Sequence, residues 1–277
     1  MDRMFNERIA LGMPSLAGYE LFDALSKARE LGFQSVMSLP GGPNTKHSLG
    51  EFPTLNFYEA DEAYKQRVRI ALRGFKHISI HQAWDTNWKL WIDCASYFGA
   101  EIVTVHSGLR ETDQSLRQFC LQRSKYLREI GDYAKANDVK IGIENEGGDY
   151  EDYIQLLEAI DHTSVGATID VGHCAYFNEI KSIVNLDDKA KALNDLLCRM
   201  VNRLGKNLYH FHLHNVCKTD WRDHRSVTDG AIDFPKLFTT LKEIGYSGLF
   251  DIELEEPERE KKSIETGKYL TELMDIS

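Results

Sequence analysis

Short β-rich apolar runs alternate along this chain with polar turns and longer helical stretches. Runs of this length, bounded by turn residues, are typical of buried strands. The predicted strands are Arg8–Gly12, Phe33–Leu39, His77–Gln82, Glu101–His106, Lys140–Asn145, Val165–Val171, Leu208–Asn215 and Gly248–Glu255. The helices predicted between them and after the last are Tyr19–Leu31, Glu59–Arg73, Trp88–Phe98, Asp113–Asn137, Asp149–Ile160, Asp187–Leu204, Phe234–Ile244 and Glu258–Met274.

This alternation of strands and helices predicts the fold class. Strands joined through helices lie parallel in one sheet, and eight such units close into a barrel. The length of 277 residues is ordinary for one barrel, and no low-complexity linker divides the chain. Helical stretches are followed by Gly32, Gly99, Gly205 and Gly245, where a left-handed residue can end a helix. We therefore predict a single (β/α)8 TIM barrel that occupies residues 1–277 as one domain.

The connection after the second predicted strand is unusually long. It runs from Ser38 to Thr54 and contains the sequence PGGP, which indicates a loop. Its length fits either an active-site lid or a tolerated surface insertion. Both interpretations stay open at this point.

Charge, hydrophobicity and cysteine spacing argue against several classes of function. The net charge is −10 with no basic stripe, which argues against a nucleic-acid partner, although a bound cation could supply local positive charge. No apolar run reaches the ~18 residues of a membrane span. The first residues, MDRMFNERIA, lack a basic segment followed by an apolar stretch, so we predict no signal peptide and expect the cytoplasm. The five cysteines form no CxxC pair, which favours reduced thiols over disulfides or a cysteine zinc site.

The strand pattern places the polar chemistry on one face of each strand. Side chains alternate sides, and in a barrel one side faces the helices while the other faces the lumen. In the fifth strand, Ile141 and Ile143 suit the helix side, so Glu144 points inward. The same alternation predicts inward-facing acidic and histidine side chains on every strand from the third to the eighth. They are His81, His106, Glu144, Asp170, His210, His212, His214, Asp251, Glu253 and Glu255.

Such a ring near the C-terminal strand ends predicts a metal site. Barrels of this type hold their active sites at those ends. A lone inward histidine is more often a hydrogen-bonded core residue, but six strands in succession would bury isolated charges at high cost. A divalent cation removes that cost, and imidazole and carboxylate ligands suit Mn, Zn, Co or Mg. We therefore predict a divalent metal ion as cofactor.

The residues close to the predicted metal ligands are expected at different depths in the barrel. His210 is expected deeper in the barrel and level with Asp251 on the next strand, which favours a buried histidine–aspartate hydrogen bond. His214 is expected at the rim, in contact with substrate. Asp233 is expected to cap the helix that follows it.

Loop residues add candidates for substrate binding. Trp84, in the turn after the third strand, could stack on the face of a sugar. Lys218, Arg222 and Arg225 follow the seventh strand. They either hold an anionic group such as a phosphate or belong to a solvated loop.

Six segments resemble one superfamily of barrels. They are VTVHSG with His106, IGIENEGG with Glu144, TIDVGHCAY with Asp170 and His173, HFHLHN with His212, DHRSVTDGAIDF with His224 and GYSGLFDIELE with Glu253. In order and spacing they are similar to the xylose-isomerase-like superfamily, which contains sugar isomerases and epimerases together with the endonuclease IV family. The resemblance covers most of the chain and implies the same barrel.

The resemblance also implies a metal centre and a reaction. Its four metal ligands would be Glu144, Asp170, His212 and Glu253. In the ketose epimerases of this superfamily the two glutamates, here Glu144 and Glu253, are also the catalytic acid–base pair, and His173 would bind a substrate oxygen. A metal on a carbonyl and the adjacent hydroxyl acidifies the carbon-bound proton, so glutamates on opposite sides can remove and return a proton. This implies a metal-dependent isomerase or epimerase with a small carbohydrate substrate.

The endonuclease IV family offers a second interpretation, because it uses three zinc ions. The histidines that match its extra ligand positions are His81, His106, His173 and His224. That family has an aspartate two residues before the last of these, whereas this chain has Arg222 there and Asp223 out of register. The four histidines could instead bind sugar hydroxyls, and the acidic chain favours that. We therefore expect them to bind substrate together with Arg222 and Trp84.

Three functions are compatible with these residues. The preferred one is the sugar isomerase or epimerase, to which a lyase or dehydratase with the same metal and base is related. The second is a zinc-dependent phosphodiesterase acting on abasic DNA, and the third is a non-catalytic ligand-binding barrel. Neither nucleic acid nor a membrane is an expected partner, and a homo-oligomer is compatible with the sequence.

Overall fold

Eight parallel strands close into a barrel in the computed structural model, which describes residues 4–41, 46–47, 50–82 and 86–276. The strands are β1 (Ile9–Gly12), β2 (Ser35–Ser38), β3 (Ile78–His81), β4 (Ile102–His106), β5 (Lys140–Glu144), β6 (Val165–Asp170), β7 (Leu208–Leu213) and β8 (Leu249–Ile252). Each pairs with its neighbours in chain order, and β8 pairs with β1 to complete the barrel. The predicted (β/α)8 fold is confirmed, and each of the eight barrel strands lies within its predicted run.

Helices connect successive strands and cover the barrel. They are α1 (Leu21–Glu30), α2 (Glu62–Leu72), α3 (Trp88–Phe98), α4 (Leu116–Ala136), α5 (Tyr150–Ile160), α6 (Leu186–Leu204), α7 (Phe234–Glu243) and α8 (Arg259–Ile276). A short helix at Asn178–Lys181 precedes α6. None of the helices in the described ranges combines the length and the apolar character needed to cross a bilayer.

Capping residues explain where the helices begin and end. The Asp233 carboxylate accepts a hydrogen bond from Lys236 N at 3.0 Å, which confirms the predicted cap of α7. α4 begins at Leu116, later than predicted, because Ser115 and Gln118 form a reciprocal capping box there. Gly99 ends α3 in the left-handed conformation (φ 76°), as predicted.

The long connection after β2 is anchored at its base. Leu55 N donates to Leu39 O at 2.7 Å, and Gly18 N donates to Glu51 O at 2.8 Å. Between these anchors Lys46–His47 pair antiparallel with Gly50–Glu51. Residues 42–45 and 48–49 lie outside the described ranges, so the lid remains a prediction.

The barrel has an apolar outside and a polar lumen. Outward-facing residues such as Ile143, Ile169 and Phe211 are fully buried against the helices, as the strand alternation predicts. The lumen instead holds a fully buried layer of polar side chains, namely Ser79, Thr104, Thr168, His210 and Asp251. Gly142 makes room for this layer, because a Cβ there would lie 2.0 Å from Thr168 Oγ1. Polar side chains therefore line the lumen from the barrel mouth down into its interior.

Candidate metal centre

The predicted ligands converge at the C-terminal ends of the strands. Glu144 ends β5 beside His106, its register partner on β4. Asp170 ends β6 beside His212, its register partner on β7. Glu253 directly follows β8, and its backbone N–H donates to Leu213 O at 3.3 Å. The register partner of Glu144 on β6 is Thr168, and that of His212 on β8 is Asp251, so Asp170 and Glu253 each lie two residues further along their strands. The tilt and stagger of the barrel strands, rather than register alone, bring the four side chains together.

His212 Nδ1 is the centre of this group. It lies 3.2 Å from Glu144 Oε1, 3.8 Å from Glu253 Oε1 and 4.0 Å from Asp170 Oδ2. Ligand atoms that each bind one ion at ~2.0–2.2 Å are separated from one another by roughly 3–3.5 Å. The three carboxylate oxygens therefore lie within about 1 Å of the distance from His212 Nδ1 that a shared divalent cation would require.

A buried oxygen without a hydrogen bond supports the fit of a cation. Glu144 and Glu253 are only 1 % and 5 % exposed. Among the described residues, nothing donates a hydrogen bond to Glu253 Oε1, whereas the near neighbours of Glu144 Oε2 are imidazoles. A buried carboxylate oxygen such as Glu253 Oε1 carries a desolvation cost that a metal ion offsets.

Without a metal ion, protonated histidine side chains balance the negative charges of the carboxylates in this cluster. Burial alone would raise the pKa of both glutamates, but the imidazoles outweigh it. His106 and His212 hold the pKa of Glu144 well below its usual range, and His212 lowers that of Glu253 to about 2. Burial likewise opposes protonation of His212, but Glu253 and Glu144 raise its pKa to about 10. A cation would therefore replace protons that the histidines hold.

One outer group of metal-type ligands lies on the β3 and β4 side. His81 Nε2 and His106 Nε2 lie 3.0 and 2.7 Å from Glu144 Oε2. His81 Nδ1 is 2.7 Å from Gln82 O, which can only accept a hydrogen bond, so the Nδ1 of His81 is protonated. Glu146, which sequence reasoning did not single out, lies 3.3 Å from His106 Nδ1.

A second outer group contains a carboxylate that the sequence placed out of register. Asp223 Oδ1 lies 3.3 Å from His224 Nδ1, and Asp223 Oδ2 lies 4.0 Å from His173 Nε2. Trp221 and His224 have positive φ values of 59° and 54°, and this local backbone turns Asp223 toward the site. No residue spacing predicts such a conformation for tryptophan and histidine. Each outer group has the composition to hold a further cation.

His214 is not at the rim, contrary to expectation. It is fully buried, and its Nε2 lies 2.9 Å from the Asp170 carboxylate. Its Nδ1 accepts a hydrogen bond from His224 N at 2.9 Å, and the two rings stack with centroids 4.0 Å apart. The burial follows from this stacking, because the loop that carries His224 covers the end of β7. His214 therefore orients Asp170.

The predicted rim residues have different positions. Arg222 is exposed, and its backbone N–H donates to Asp220 Oδ1 at 3.1 Å. Arg225 Nη1 donates to Glu255 O at 3.1 Å, which holds this guanidinium against the β8 end. Trp84 lies outside the described residues.

The chain belongs to the family described as xylose isomerase-like TIM barrel, whose model matches residues 25–273. Two curated relatives are the uncharacterized proteins MJ1311 and MJ1188 of Methanocaldococcus jannaschii. MJ1311 is 28% identical over 171 residues, or 58% of this chain and 53% of that protein. MJ1188 is 22% identical over 200 residues, or 69% of this chain and 64% of that protein. The chain thus aligns with only about half to two thirds of these relatives.

Solved structures share the fold over nearly the whole chain. A D-tagatose 3-epimerase-like protein is 20% identical with a TM-score of 0.70, covering 97% of each chain. The IOLI protein with a bound zinc atom is 17% identical with a TM-score of 0.68, covering 96% of this chain and 98% of the other. An L-ribulose 3-epimerase is 12% identical with a TM-score of 0.69, covering 97% and 94%. At these identities the likeness establishes the fold.

Proposed function

We propose that this protein is a divalent-metal-dependent isomerase or epimerase of a small sugar or sugar derivative. The observation that carries the proposal is the set of three buried carboxylates around His212 Nδ1, two of them glutamates from β5 and from the end of β8. The fold neighbours named as 3-epimerases support this choice of reaction. The zinc in one neighbour and the magnesium in another support the choice of cofactor.

In this proposal Glu144, Asp170, His212 and Glu253 hold one ion of Mn, Zn, Co or Mg. Mixed imidazole and carboxylate ligands suit these ions. When bound, the ion supplies Lewis acidity that polarises the substrate carbonyl and lowers the pKa of the adjacent carbon-bound proton. His214 keeps the Asp170 carboxylate oriented through its 2.9 Å contact.

The two glutamates are assigned the proton transfers. They approach the centre from strands that β6 and β7 separate, so a substrate between them presents opposite faces to the two carboxylates. One glutamate, ionised, takes the proton as the carbon–hydrogen bond breaks and an enediolate forms. Both glutamates have a low pKa, so the other one would receive a proton from the protonated imidazole beside it, as His224 lies beside Glu253, and give that proton to the opposite face as the new bond forms. The reverse reaction exchanges these roles.

The outer histidines are assigned to substrate oxygens. His81, His106 and His224 have side chains 15%, 15% and 16% exposed, so they sit between the buried centre and solvent. His224 Nε2 lies 3.6 Å from Glu253 Oε2, and His173 Nδ1 lies 3.4 Å from Glu144 Oε1. A sugar held between the glutamates would therefore meet imidazole donors on both sides.

One observation favours the phosphodiesterase as a second candidate. Asp223 supplies the carboxylate whose absence from the expected position counted against extra zinc ions. The net charge of −10 still opposes a DNA substrate. Metal analysis of purified protein separates the candidates, because three tightly bound zinc ions per chain favour the nuclease and one exchangeable ion favours the isomerase.

Isotope exchange tests the proposed reaction. The protein is incubated in deuterated water with a panel of ketoses and with Mn, Co or Mg, and the sugars are followed by NMR. We expect deuterium at the carbon next to the carbonyl together with the epimeric or isomeric product, and neither in a chelated control. No exchange with any sugar and any of the three metals would argue strongly against the proposal.

The stabilisation that a metal confers is expected to increase with pH. Protonation of His212 stabilises the metal-free fold, because its pKa of about 10 lies above the ordinary ~6.5. This contribution is complete below ~6.5 and is lost as the pH rises toward 10. A bound ion needs Nδ1 free of its proton, so proton competition weakens over the same interval.

Melting temperatures with and without manganese, compared between about pH 6 and about pH 9, measure this effect. The difference between the two should grow steadily across the range. A difference that is constant or shrinks contradicts the exchange of protons for the ion.

A further inference from the structure

A second polar layer lies directly beneath the metal centre. It contains Ser79 on β3, Thr104 on β4, Thr168 on β6, His210 on β7 and Asp251 on β8, all fully buried. Buried polar side chains are costly unless they are paired, so five of them in a barrel lumen need a reason. Their contacts form one connected chain that ends at His212.

The chain begins at Asp251, a fully buried carboxylate of the lumen. Asp251 Oδ2 accepts a hydrogen bond from Ser79 Oγ at 2.6 Å and lies 2.8 Å from His210 Nε2. The predicted pairing of His210 with Asp251 is present as a close contact, but the expected level was wrong, because the register partner of Asp251 is His212 and that of His210 is Leu249. The geometry at His210 Nε2 is also not that of the expected hydrogen bond. A carboxylate at this distance favours the proton of His210 on Nε2, which leaves His210 Nδ1 as an acceptor.

Thr104 joins His210 to the metal ligand. Its hydroxyl oxygen lies 3.1 Å from His210 Nδ1 and 3.4 Å from His212 Nε2. A hydroxyl has one proton to donate and two lone pairs to accept with. If that proton goes to His210 Nδ1, the lone pairs of Thr104 are available to His212 Nε2–H.

A hydrogen bond in this direction, from His212 Nε2–H to Thr104, suits a histidine that binds a metal ion through Nδ1. The Nδ1 of His212 faces the three carboxylates, so binding an ion there requires the remaining ring proton on Nε2. A hydrogen-bond acceptor at Nε2 fixes that tautomer and the angle of the ring. Gly142 helps indirectly, because its missing side chain admits Thr168, whose Oγ1 lies 3.2 Å from Thr104 Oγ1.

We propose that Thr104, anchored through His210 and Asp251, is a positioning residue that holds His212 in the tautomer and orientation for metal binding. The inference rests on the proposed function, since it concerns the same centre. Thr104 itself touches neither ion nor substrate. Its role is to fix the tautomer and the ring orientation of His212 before the ion binds.

The test compares metal affinities of matched variants. Thr104→Val keeps the shape of the side chain and removes the hydroxyl, whereas Thr104→Ser keeps the hydroxyl. Thr240→Val is the control, because Thr240 is a buried threonine on α7 whose hydroxyl donates to Lys236 O within its own helix. Dissociation constants for Zn²⁺ are measured by competition with a chromophoric chelator, and melting curves check folding.

We expect Thr104→Val to weaken zinc binding by about 10- to 100-fold, as loss of a ligand's supporting hydrogen bond does elsewhere. Thr104→Ser should stay within about 3-fold of the wild type, and Thr240→Val should not change the affinity. A folded Thr104→Val chain that binds zinc as tightly as the wild type overturns the inference. A wild type that binds no ion overturns the proposed function as well, so the two failures are distinguishable.

NMR of the histidine rings provides a test that does not depend on the variant folding. In the zinc-loaded wild type, His212 should carry its proton on Nε2, and that proton should exchange slowly with water. A spectrum with the proton on Nδ1 would overturn the inference whatever the variants do.

Discussion

Replacing Glu144 by glutamine is expected to lower turnover by about 10³-fold or more, a loss typical of removing a general acid–base group. Glu144 is the contact point of the whole centre: its two oxygens lie 2.7 Å from His106 Nε2, 3.0 Å from His81 Nε2 and 3.2 Å from His212 Nδ1. The amide has no negative charge with which to attract a cation or accept a proton, so metal affinity should fall too. Steady-state kinetics at saturating metal, on the sugar identified by isotope exchange, separates the two losses.

Glu158→Gln is the matched control for this variant. Glu158 lies on α5, the helix that follows β5, and pairs with Arg203 on the outer surface at 2.9 Å. Glu158→Gln removes the same charge, but on the outer surface of the barrel, so it should leave turnover and metal affinity unchanged. A Glu144→Gln chain that keeps turnover within about tenfold of the wild type contradicts the assignment of Glu144.

Glu253→Gln is expected to separate proton exchange from product formation. The amide oxygen can still face the metal, but the group that serves one face of the substrate is lost. Interconversion of the epimers should fall by about 10²- to 10⁴-fold. Glu144 should still remove a proton from its own face and return one there, so the epimer with its proton on that side should continue to take up deuterium.

NMR in deuterated water at saturating metal measures both rates on one sample, starting from each epimer in turn. Exchange that persists from one epimer alone supports two glutamates on opposite faces. If exchange and interconversion fall together from both epimers, a single group performs both transfers and the proposed pair is wrong.

The part of the centre that could be predicted from the sequence is the inward direction of its strand residues, and strand periodicity is the reason. Because side chains alternate along a strand, the apolar Ile141 and Ile143 determine that Glu144 faces the lumen. The same two-residue period determines the direction of Asp170 and His212. Register alone does not bring them together, because Glu144 pairs with Thr168 and His212 pairs with Asp251. The tilt and stagger of strands in a closed barrel bring Asp170 and Glu253 to the same centre.

Loop conformation accounts for what could not be predicted. Asp223 enters the site because Trp221 and His224 have positive φ, a conformation that neither residue type signals. His214 becomes buried because the ring of His224 stacks on it. Both outcomes depend on how the segment after β7 folds back over the barrel mouth.

The sequence by itself determined the eight strands, the inward ring of carboxylates and histidines, and thereby the place of the candidate site. It did so because hydrophobic periodicity is local and survives in any fold that buries it. Only the tertiary structure decided that His212 Nδ1 lies among three carboxylates, that Thr104 Oγ1 lies 3.4 Å from its Nε2, and that Asp223 lies beside His224. These relations join strands and loops far apart in the chain, and their distances exist only after the barrel closes.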